Sequence, residues 1–485
     1  MSAVLLSSLA SATAPSELLP GAAFAGDVDV DELAYDSRGV TPGALFFCLR
    51  GAQTDGHDHA ADAVAAGAVA LVVERPLDVP VPQVLVPDAR VAMAHMAAAF
   101  FGAPSRQLAV VGVTGTNGKT TTTHLLRNVM EAAGRRCEVL GTLTGVRTTP
   151  EAPDLQRTLA TWVSEGVEVV AMEVSSHALE LHRVDATRFR VAVFTNLSRD
   201  HLDFHGSMEA YFEAKARLFT PELSEQGVVN LDSPYGRLLT DAATVATDTY
   251  ALAEAEDLRL RASGTTFTWR GRRVTLSLGG AFNVANALAA AHAAAALGVD
   301  DDTIVAGLSR PLVVPGRFEL VDAGQPFPVV VDYAHTPDGL EQLLVAADDL
   351  VGPAPDGGRG RVVVVFGCGG DRDRSKRPAM GEVAAERADV VVVTSDNSRH
   401  EDTGAIIEAV TQGFDRTHPR RAADLRIEPD RRTAIALSLE IARPGDVVMV
   451  AGKGHETTQD IGGVVTPFDD RIVVAEEWAR AEGIT

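Results

Sequence analysis

An α/β fold of three domains is predicted, each built on a mostly parallel sheet with helices over its faces. Three observations predict it. Short β runs alternate with helical stretches along the chain, the grammar of strand–helix–strand units. Several of these runs are apolar over most of their length, as at 108–113 and 390–394, which suits strands covered on both faces. Finally, 485 residues exceed one ordinary core, so two to four domains are expected.

The first domain is placed at residues 1–103. Residues 1–25 are apolar and rich in small residues and so mimic a secretion signal, but the first basic residue after the amino terminus is Arg38, which leaves no positive n-region. Asp36-Ser37-Arg38-Gly39-Val40, an apolar run at 44–49, a helical stretch at 60–66 and a strand at 68–74 make a small α/β domain. The second domain, 104–316, starts with a β run at 108–113, a glycine-rich turn and a helix at 119–133, followed by strands at 167–174 and 191–196. The third, 317–485, repeats the pattern with β runs at 329–332, 361–366, 390–394 and 447–451, each followed by turn residues, and predicts a doubly wound, Rossmann-like sheet. The Pro/Gly-rich stretch 353–360 falls between a helix and a strand and is predicted to be a loop within that domain.

Composition narrows the function classes. Hydrophobic residues are 46% and charged residues 22%, values of an ordinary soluble chain. The net charge of −23 argues against a nucleic-acid partner, whose phosphate backbone needs clustered cations. Cys48, Cys137 and Cys368 are scattered without paired spacing, which speaks against a disulfide framework or a thiolate zinc site and suits a reducing cytosol. No apolar run is long and clean enough for a bilayer span, so a cytoplasmic chain without membrane insertion is expected.

The segment Gly112-Val113-Thr114-Gly115-Thr116-Asn117-Gly118-Lys119-Thr120-Thr121 lies between the first strand of the second domain and its helix. Glycines let backbone N–H groups converge on phosphate oxygens, and the helix N-terminus adds partial positive charge. Lys119 then reaches the β and γ phosphates, and the Thr120 hydroxyl can ligate Mg²⁺. Val113 stands where the strict phosphate-loop pattern has glycine, which makes this a variant loop. The loop argues for a nucleoside triphosphate and leaves the reaction open. Glu173 closes the apolar run Val169-Val170-Ala171-Met172, at the strand end where parallel sheets bind ligands and where a Mg²⁺ carboxylate is expected. His201, in Thr195-Asn196-Leu197-Ser198-Arg199-Asp200-His201-Leu202-Asp203, falls on the same sheet edge and is a candidate second cation ligand. By composition alone Lys215 is a solvent-facing helix lysine.

Together these residues resemble the Mur ligase family over nearly the whole chain. The resemblance rests on Gly115-Thr116-Asn117-Gly118-Lys119-Thr120-Thr121, Glu173-Val174-Ser175-Ser176-His177, Asp200-His201-Leu202-Asp203, Phe282-Asn283-Val284-Ala285-Asn286, Gly316-Arg317-Phe318-Glu319 and Asp332-Tyr333-Ala334-His335-Thr336-Pro337. Within the family, three segments are similar to the branch that adds the third residue of the peptidoglycan stem peptide: Asp36-Ser37-Arg38 with Leu45-Phe46-Phe47 in a UDP-sugar domain, Thr148-Thr149-Pro150-Glu151 in a substrate loop, and Gly367-Cys368-Gly369-Gly370-Asp371-Arg372-Asp373 with Lys376-Arg377-Pro378 in an amino-acid loop.

The resemblance implies roles. ATP would be held by Gly115 to Thr121, by Asn283 and Asn286 near the adenine, by Arg317 on the γ-phosphate side and by Asp332 at the ribose. Thr120, Glu173, His201 and a carbamylated Lys215, modified by CO₂, would hold Mg²⁺, with Lys119, Lys215 and His201 as catalytic groups. Ser37, Thr148, Thr149, Ser175 and Arg183 would hold UDP-MurNAc-L-Ala-D-Glu. Arg372, Asp396, Asn397, Ser398, Arg399, Gly452 and Glu456 would hold the incoming amino acid, and a monomer is implied. Three departures stand out: a short segment between Gly141-Thr142 and Thr148-Thr149, Leu181 where relatives carry Gln, and Asp396-Asn397-Ser398-Arg399 in place of Asp-Asn-Pro-Arg.

Arg399 favours meso-diaminopimelate as the amino acid. Its guanidinium can take the distal carboxylate bidentately, whereas a lysine substrate would set an ammonium against it. The competing expectation is an arginine spent on Glu401. A lysine-adding enzyme, another Mur or folylpolyglutamate-type ligase, a kinase and a nucleotide-binding regulator with a dead site are the alternatives; intact Lys119, Thr120, Glu173, His201 and Lys215 argue against the last.

Overall fold

The structure is a computed structural model and describes residues 3–13, 27–51, 54–261, 263–355 and 357–483. Most of the signal-like stretch, residues 1, 2 and 14–25, lies outside the described residues. Its described part belongs to the first domain's core. The strand Val4–Leu5 pairs antiparallel with Asp29–Val30, and the helix Leu6–Ser11 buries Leu6 and Leu9 completely.

The rest of that domain is a parallel four-stranded sheet, Glu32–Ala34, Ala44–Phe47, Ala68–Val73 and Gln83–Leu85, in this spatial order. The helix Ala89–Phe100 covers one face, its start set by Asp88, whose carboxylate accepts from the N–H groups of Arg90 and Val91.

The central sheet has six parallel strands in the order Ala246–Tyr250, Gln226–Asn230, Val191–Phe194, Ala109–Thr114, Val169–Glu173 and Cys137–Leu140. The chain fills one side of Ala109–Thr114 first and the other side afterwards. The strand order therefore reverses there, and a crevice opens at the carboxyl ends of Ala109–Thr114, Val169–Glu173 and Val191–Phe194. The expected strand at 167–174 is shorter because the N–H of Val167 still closes the preceding helix on the carbonyl of Trp162. On one face the helices Lys119–Ala132 and Ala281–Ala296 pack together. The second is so rich in alanine that backbones approach closely, and Ala287, Ala290, Ala291 and Ala294 are fully buried.

One piece of this domain is absent from the sequence reading. Glu256–Arg261, Gly264–Trp269 and Arg272–Leu276 form an antiparallel meander that buries Phe267 and Trp269 in the same core. Gly-Thr-Thr-Phe-Thr-Trp alternates between its two faces, the period of a half-covered sheet.

The third domain holds a six-stranded sheet ordered Glu319–Val321, Val329–Asp332, Val447–Ala451, Val362–Phe366, Val390–Val393 and Asp424–Ile427. All strands are parallel except the antiparallel first edge. Separate apolar clusters lie on its two faces, one with Leu343, Met380 and Phe414 and the other with Ile435, Leu439 and Val473. The hairpin Thr458–Ile461 with Val464–Pro467 is appended to it. Among the described residues no helix is long and apolar enough to cross a membrane.

Candidate active site

The loop after Ala109–Thr114 closes tightly around its own backbone. Gly115 has φ +151°, and a Cβ there would lie 1.9 Å from Thr195 Oγ1; Gly118 has φ +87°, and its Cβ would lie 2.3 Å from Asn286 Oδ1. Only glycine fits both places. The loop is tied to the neighbouring strand end: the N–H of Asn117 donates to Asn196 Oδ1 at 3.0 Å, and Thr195 Oγ1 donates to the Asn117 carbonyl at 2.6 Å. The Lys119 ammonium folds back onto the carbonyls of Gly115, at 3.0 Å, and Thr116, at 2.8 Å.

Glu173 is buried at 1% exposure and accepts from Thr120 Oγ1 at 3.0 Å, the Thr142 N–H at 2.9 Å and Thr142 Oγ1 at 3.2 Å. Among the described residues it has no ion pair. Lys215, also 1% exposed, donates to the Gly115 carbonyl at 3.0 Å and approaches Thr114 Oγ1 at 3.4 Å, with the Tyr211 ring 4.8 Å away. Among the described residues it faces no carboxylate at ion-pair distance. Burial pushes its ammonium well below the ordinary lysine range, and the charge of Lys119 adds to this. His201 holds a left-handed backbone, φ +54°, secured by its N–H on Asp200 Oδ1 at 2.9 Å, and burial pulls its imidazole below the usual histidine range.

Lys119, Thr120, Thr142, Glu173, Asp200 and His201 line a cavity of about 610 Å³ together with Thr148, Ser175 and, from the third domain, Arg317, Asp332, Tyr333, His335 and Asp338. The Arg317 guanidinium lies 4.2 Å over the Tyr333 ring. Both Asp332 oxygens accept backbone N–H bonds, from Phe318 at 2.6 Å and Ala334 at 2.7 Å, yet burial still raises its carboxyl. The Asn117 amide donates across the domain boundary to Asp338 at 3.0 Å.

A second cavity of about 470 Å³ adjoins it, and Asp200, His201, Tyr333 and His335 line both. Its other walls carry Arg372, Lys376, Asp396, Asn397, Arg399, Gly452 and Glu456. The Asn397 amide donates to Glu456 at 2.7 Å, and the fully buried Lys453 donates to both Asn397, at 3.0 Å, and Glu456, at 2.9 Å. Arg399 sits at φ +50°, its N–H on the Asp460 carbonyl and its Nη1 on the Gly370 carbonyl at 2.6 Å. Among the described residues it has no carboxylate partner.

Three family models match the chain: the Mur ligase family catalytic domain at residues 29–101, the Mur ligase middle domain at 113–294 and the Mur ligase glutamate ligase domain at 316–454. Curated relatives named UDP-N-acetylmuramoyl-L-alanyl-D-glutamate--2,6-diaminopimelate ligase match over nearly their full length. The one from Syntrophomonas wolfei is 44% identical, over 93% of this chain and 95% of its own. The one from Streptomyces coelicolor is 44% identical over 98% of each. The chain belongs to the Mur ligase family. A solved structure carrying the same ligase name aligns at a TM-score of 0.64 with 34% identity, covering 94% of this chain and 96% of that one. A MurF ligase from Thermotoga maritima in complex with ADP shares the fold, with a TM-score of 0.64 at 21% identity over 94% of this chain and 99% of that one.

In this Mur ligase the expected residues sort into cavity walls and supports. Thr116 to Thr121, Glu173, His201, Asn286, Arg317 and Asp332 face the first cavity with Thr148 and Ser175; Arg372, Asp396, Asn397, Arg399, Gly452 and Glu456 face the second. Gly115 and Lys215 stand behind the loop. Asn283 stands behind Asn286, accepting its amide at 3.1 Å. Ser398 is buried at 1% exposure and lines neither cavity. Thr149 is likewise buried, its hydroxyl donating to the Glu173 carbonyl at 2.9 Å, and Arg183 bonds the Thr149 carbonyl and Glu151. Ser37 lies in a 3-10 turn of the first domain and lines neither cavity. The expected Arg399–Glu401 pair does not form, because Glu401 is taken by Arg377 at 2.9 Å and Arg374 at 3.1 Å. Thr142, Asp338 and Lys453 were not singled out from the sequence. For Lys453 a signal existed: a lysine between glycines directly after the buried strand Val447–Ala451.

Proposed function

We propose that the chain is a MurE-type ligase that uses ATP to join meso-2,6-diaminopimelate to the D-glutamyl γ-carboxylate of UDP-MurNAc-L-Ala-D-Glu in peptidoglycan synthesis. The observation that carries this reading is the pair of adjoining cavities with one common wall, the first built on a phosphate loop and the second presenting an arginine without an acidic partner. The names of the relatives support the same substrates.

The substrate carboxylate attacks the γ-phosphorus of ATP, and ADP leaves with the P–O electron pair. The amine then attacks the acyl carbon of the resulting acyl phosphate. The C–O bond to phosphate breaks, and phosphate departs with the proton lost by the amine. The chain's part is positioning and charge neutralisation. Lys119 exchanges two carbonyl partners for phosphate oxygens, Arg317 adds a second cation at the third domain's edge, and Arg399 takes the distal carboxylate of diaminopimelate. Both cavities lie between domains, so closure shields the acyl phosphate from water.

Glu173 supports a resident Mg²⁺, since a buried carboxylate with only neutral donors is stabilised by a cation. Thr120, Glu173, His201 and a carbamate on Lys215 would hold it, and bound Mg²⁺ would offset charge on the phosphate oxygens. Lys215 suits carbamylation because burial and the charge of Lys119 weaken its hold on a proton, favouring the amine form that attacks CO₂, and among the described residues no carboxylate pairs with it. Three buried free cysteines fit a reducing compartment, and the reading places the chain in the cytoplasm as a monomer.

The test is phosphate release by the purified protein with ATP, UDP-MurNAc-L-Ala-D-Glu and either diaminopimelate or L-lysine. Turnover is expected to require all three substrates and to prefer diaminopimelate. Arg399→Ala should erode that preference by about tenfold to a hundredfold, the worth of a charged hydrogen bond. A wild-type preference for lysine would overturn the amino-acid assignment, and ATP binding without turnover would overturn the ligase itself.

A further inference from the structure

Lys376 has no role in the reading above, although it is among the most enclosed cations in the molecule. It is 8% exposed and lines the second cavity, and among the described residues its ammonium makes no hydrogen bond and no ion pair. It also opens the twelve-residue helix Lys376–Arg387, whose preceding residue, Ser375, makes no side-chain cap. A cation at a helix N-terminus is opposed by the helix dipole, and that cost falls when an anion binds there. Three acids of this region are already committed, and Asp200, on the same cavity wall, lies against His201 and His335. Glu401 is held by Arg374 and Arg377, Asp373 accepts from the N–H of Ser375 at 2.8 Å, and Glu456 is held by Asn397 and Lys453.

The position of Lys376 selects the anion. Lys376 lines the second cavity together with Asp200 and His335, two of the wall residues common to both cavities, whereas the Arg399 guanidinium is engaged by the Gly370 carbonyl. Arg199 of the central domain donates to Ser375 at 2.7 Å and so fastens this helix start to the loop that carries Asp200 and His201. We propose that Lys376 is a catalytic residue that binds the acyl phosphate formed between the two cavities, holding the phosphoryl or carbonyl oxygen while the amine attacks. The proposal rests on the ligase reading.

The test separates the acyl phosphate from the amino acid by using hydroxylamine as a surrogate amine, which converts an acyl phosphate to a hydroxamate and needs no amino-acid site. In the full-length protein, Lys376→Met should lower kcat by about 10²- to 10³-fold with diaminopimelate and with hydroxylamine alike, the scale for losing one donor to a developing oxyanion. The KM for diaminopimelate and the affinity for ADP should stay within about twofold, and Lys376→Arg should recover at least a tenth of the rate. Lys376→Gln, judged at the wild-type melting temperature, stands in should the Met variant fail to fold. Hydroxamate formation retained at the wild-type rate, alone or with a raised KM for diaminopimelate, would overturn the proposal. A wild-type protein that makes neither hydroxamate nor amide would instead bring down the ligase reading, and this proposal with it.

Discussion

Glu401 shows at the residue scale how one carboxylate shapes the second cavity. Its bonds to Arg377, backed by the N–H of Asp371 and the charge of Arg374, hold its carboxyl at about 2, against an ordinary 4.5. A depressed carboxyl stabilises the fold fully above its unfolded value and loses that contribution as pH falls through the folded one. Stability conferred by the 369–401 loops should therefore decline as pH drops from about 4.5 toward about 2. Glu401→Gln should flatten that part of a plot of melting temperature against pH. The same pairing leaves Arg399 available, so Glu401→Gln should also release Arg377 as a competing cation and raise the KM for diaminopimelate. Arg399 and the motifs around it were readable as residues. Whether Arg399 pairs with Glu401 was not, because Glu401 is its near neighbour in sequence while Arg377 reaches Glu401 only through the fold. Lys215 marks the same limit: its amphipathic helix context reads as solvent-facing, yet the folded chain leaves it 1% exposed.

At the scale of elements, the site is held by ties between strand ends. Arg431 and Asp470 are both fully enclosed and pair at 2.7 Å, one at the start of Arg431–Ile441 and the other at the start of Asp470–Ala481. The Arg431 guanidinium also bonds the carbonyls of Ser395, at 3.2 Å, and Ala451, at 2.9 Å, the residues just before Asp396 and Gly452. Removing one charge of such a pair leaves the other buried and uncompensated, a cost of about 3–5 kcal/mol. Asp470→Asn should lower stability on that scale in denaturant unfolding and weaken amino-acid binding more than ADP binding. Valine-rich strands such as Val329–Asp332 and Val447–Ala451 were legible to the residue, since burial leaves an apolar run between turn residues. The meander over Glu256–Arg261 to Arg272–Leu276 was not, because short polar-apolar alternation inside a long block reads as loop until a core covers one face.

At the scale of the whole molecule, the central and third domains meet through polar contacts, Asn117 with Asp338, Arg199 with Ser375, and His335 with Asp200 at 4.0 Å, and through Phe282, whose ring sits edge-on to Phe318 at 5.5 Å. Asp338 is half-buried, no cation pairs with it among the described residues, and burial raises its carboxyl. Mainly polar links beside one aromatic contact suit a cleft that opens and closes. Combining Arg199→Ala with Asp338→Ala should enlarge the radius of gyration of the free protein in small-angle scattering. ATP with UDP-MurNAc-L-Ala-D-Glu should shrink it again, and an unchanged radius in both states would count against closure.

By itself the sequence determined the α/β class, the phosphate loop and the family, because glycines, a lysine and apolar strands act through their immediate neighbours and keep their meaning in one dimension. Only the tertiary structure decided which charges have partners. Among the described residues it left Lys376 and Arg399 outside any ion pair, enclosed Glu173 among neutral donors and joined two cavities at Asp200, His201, Tyr333 and His335. Charge interactions depend on distance and solvent exclusion, and both are set by segments far apart in the chain.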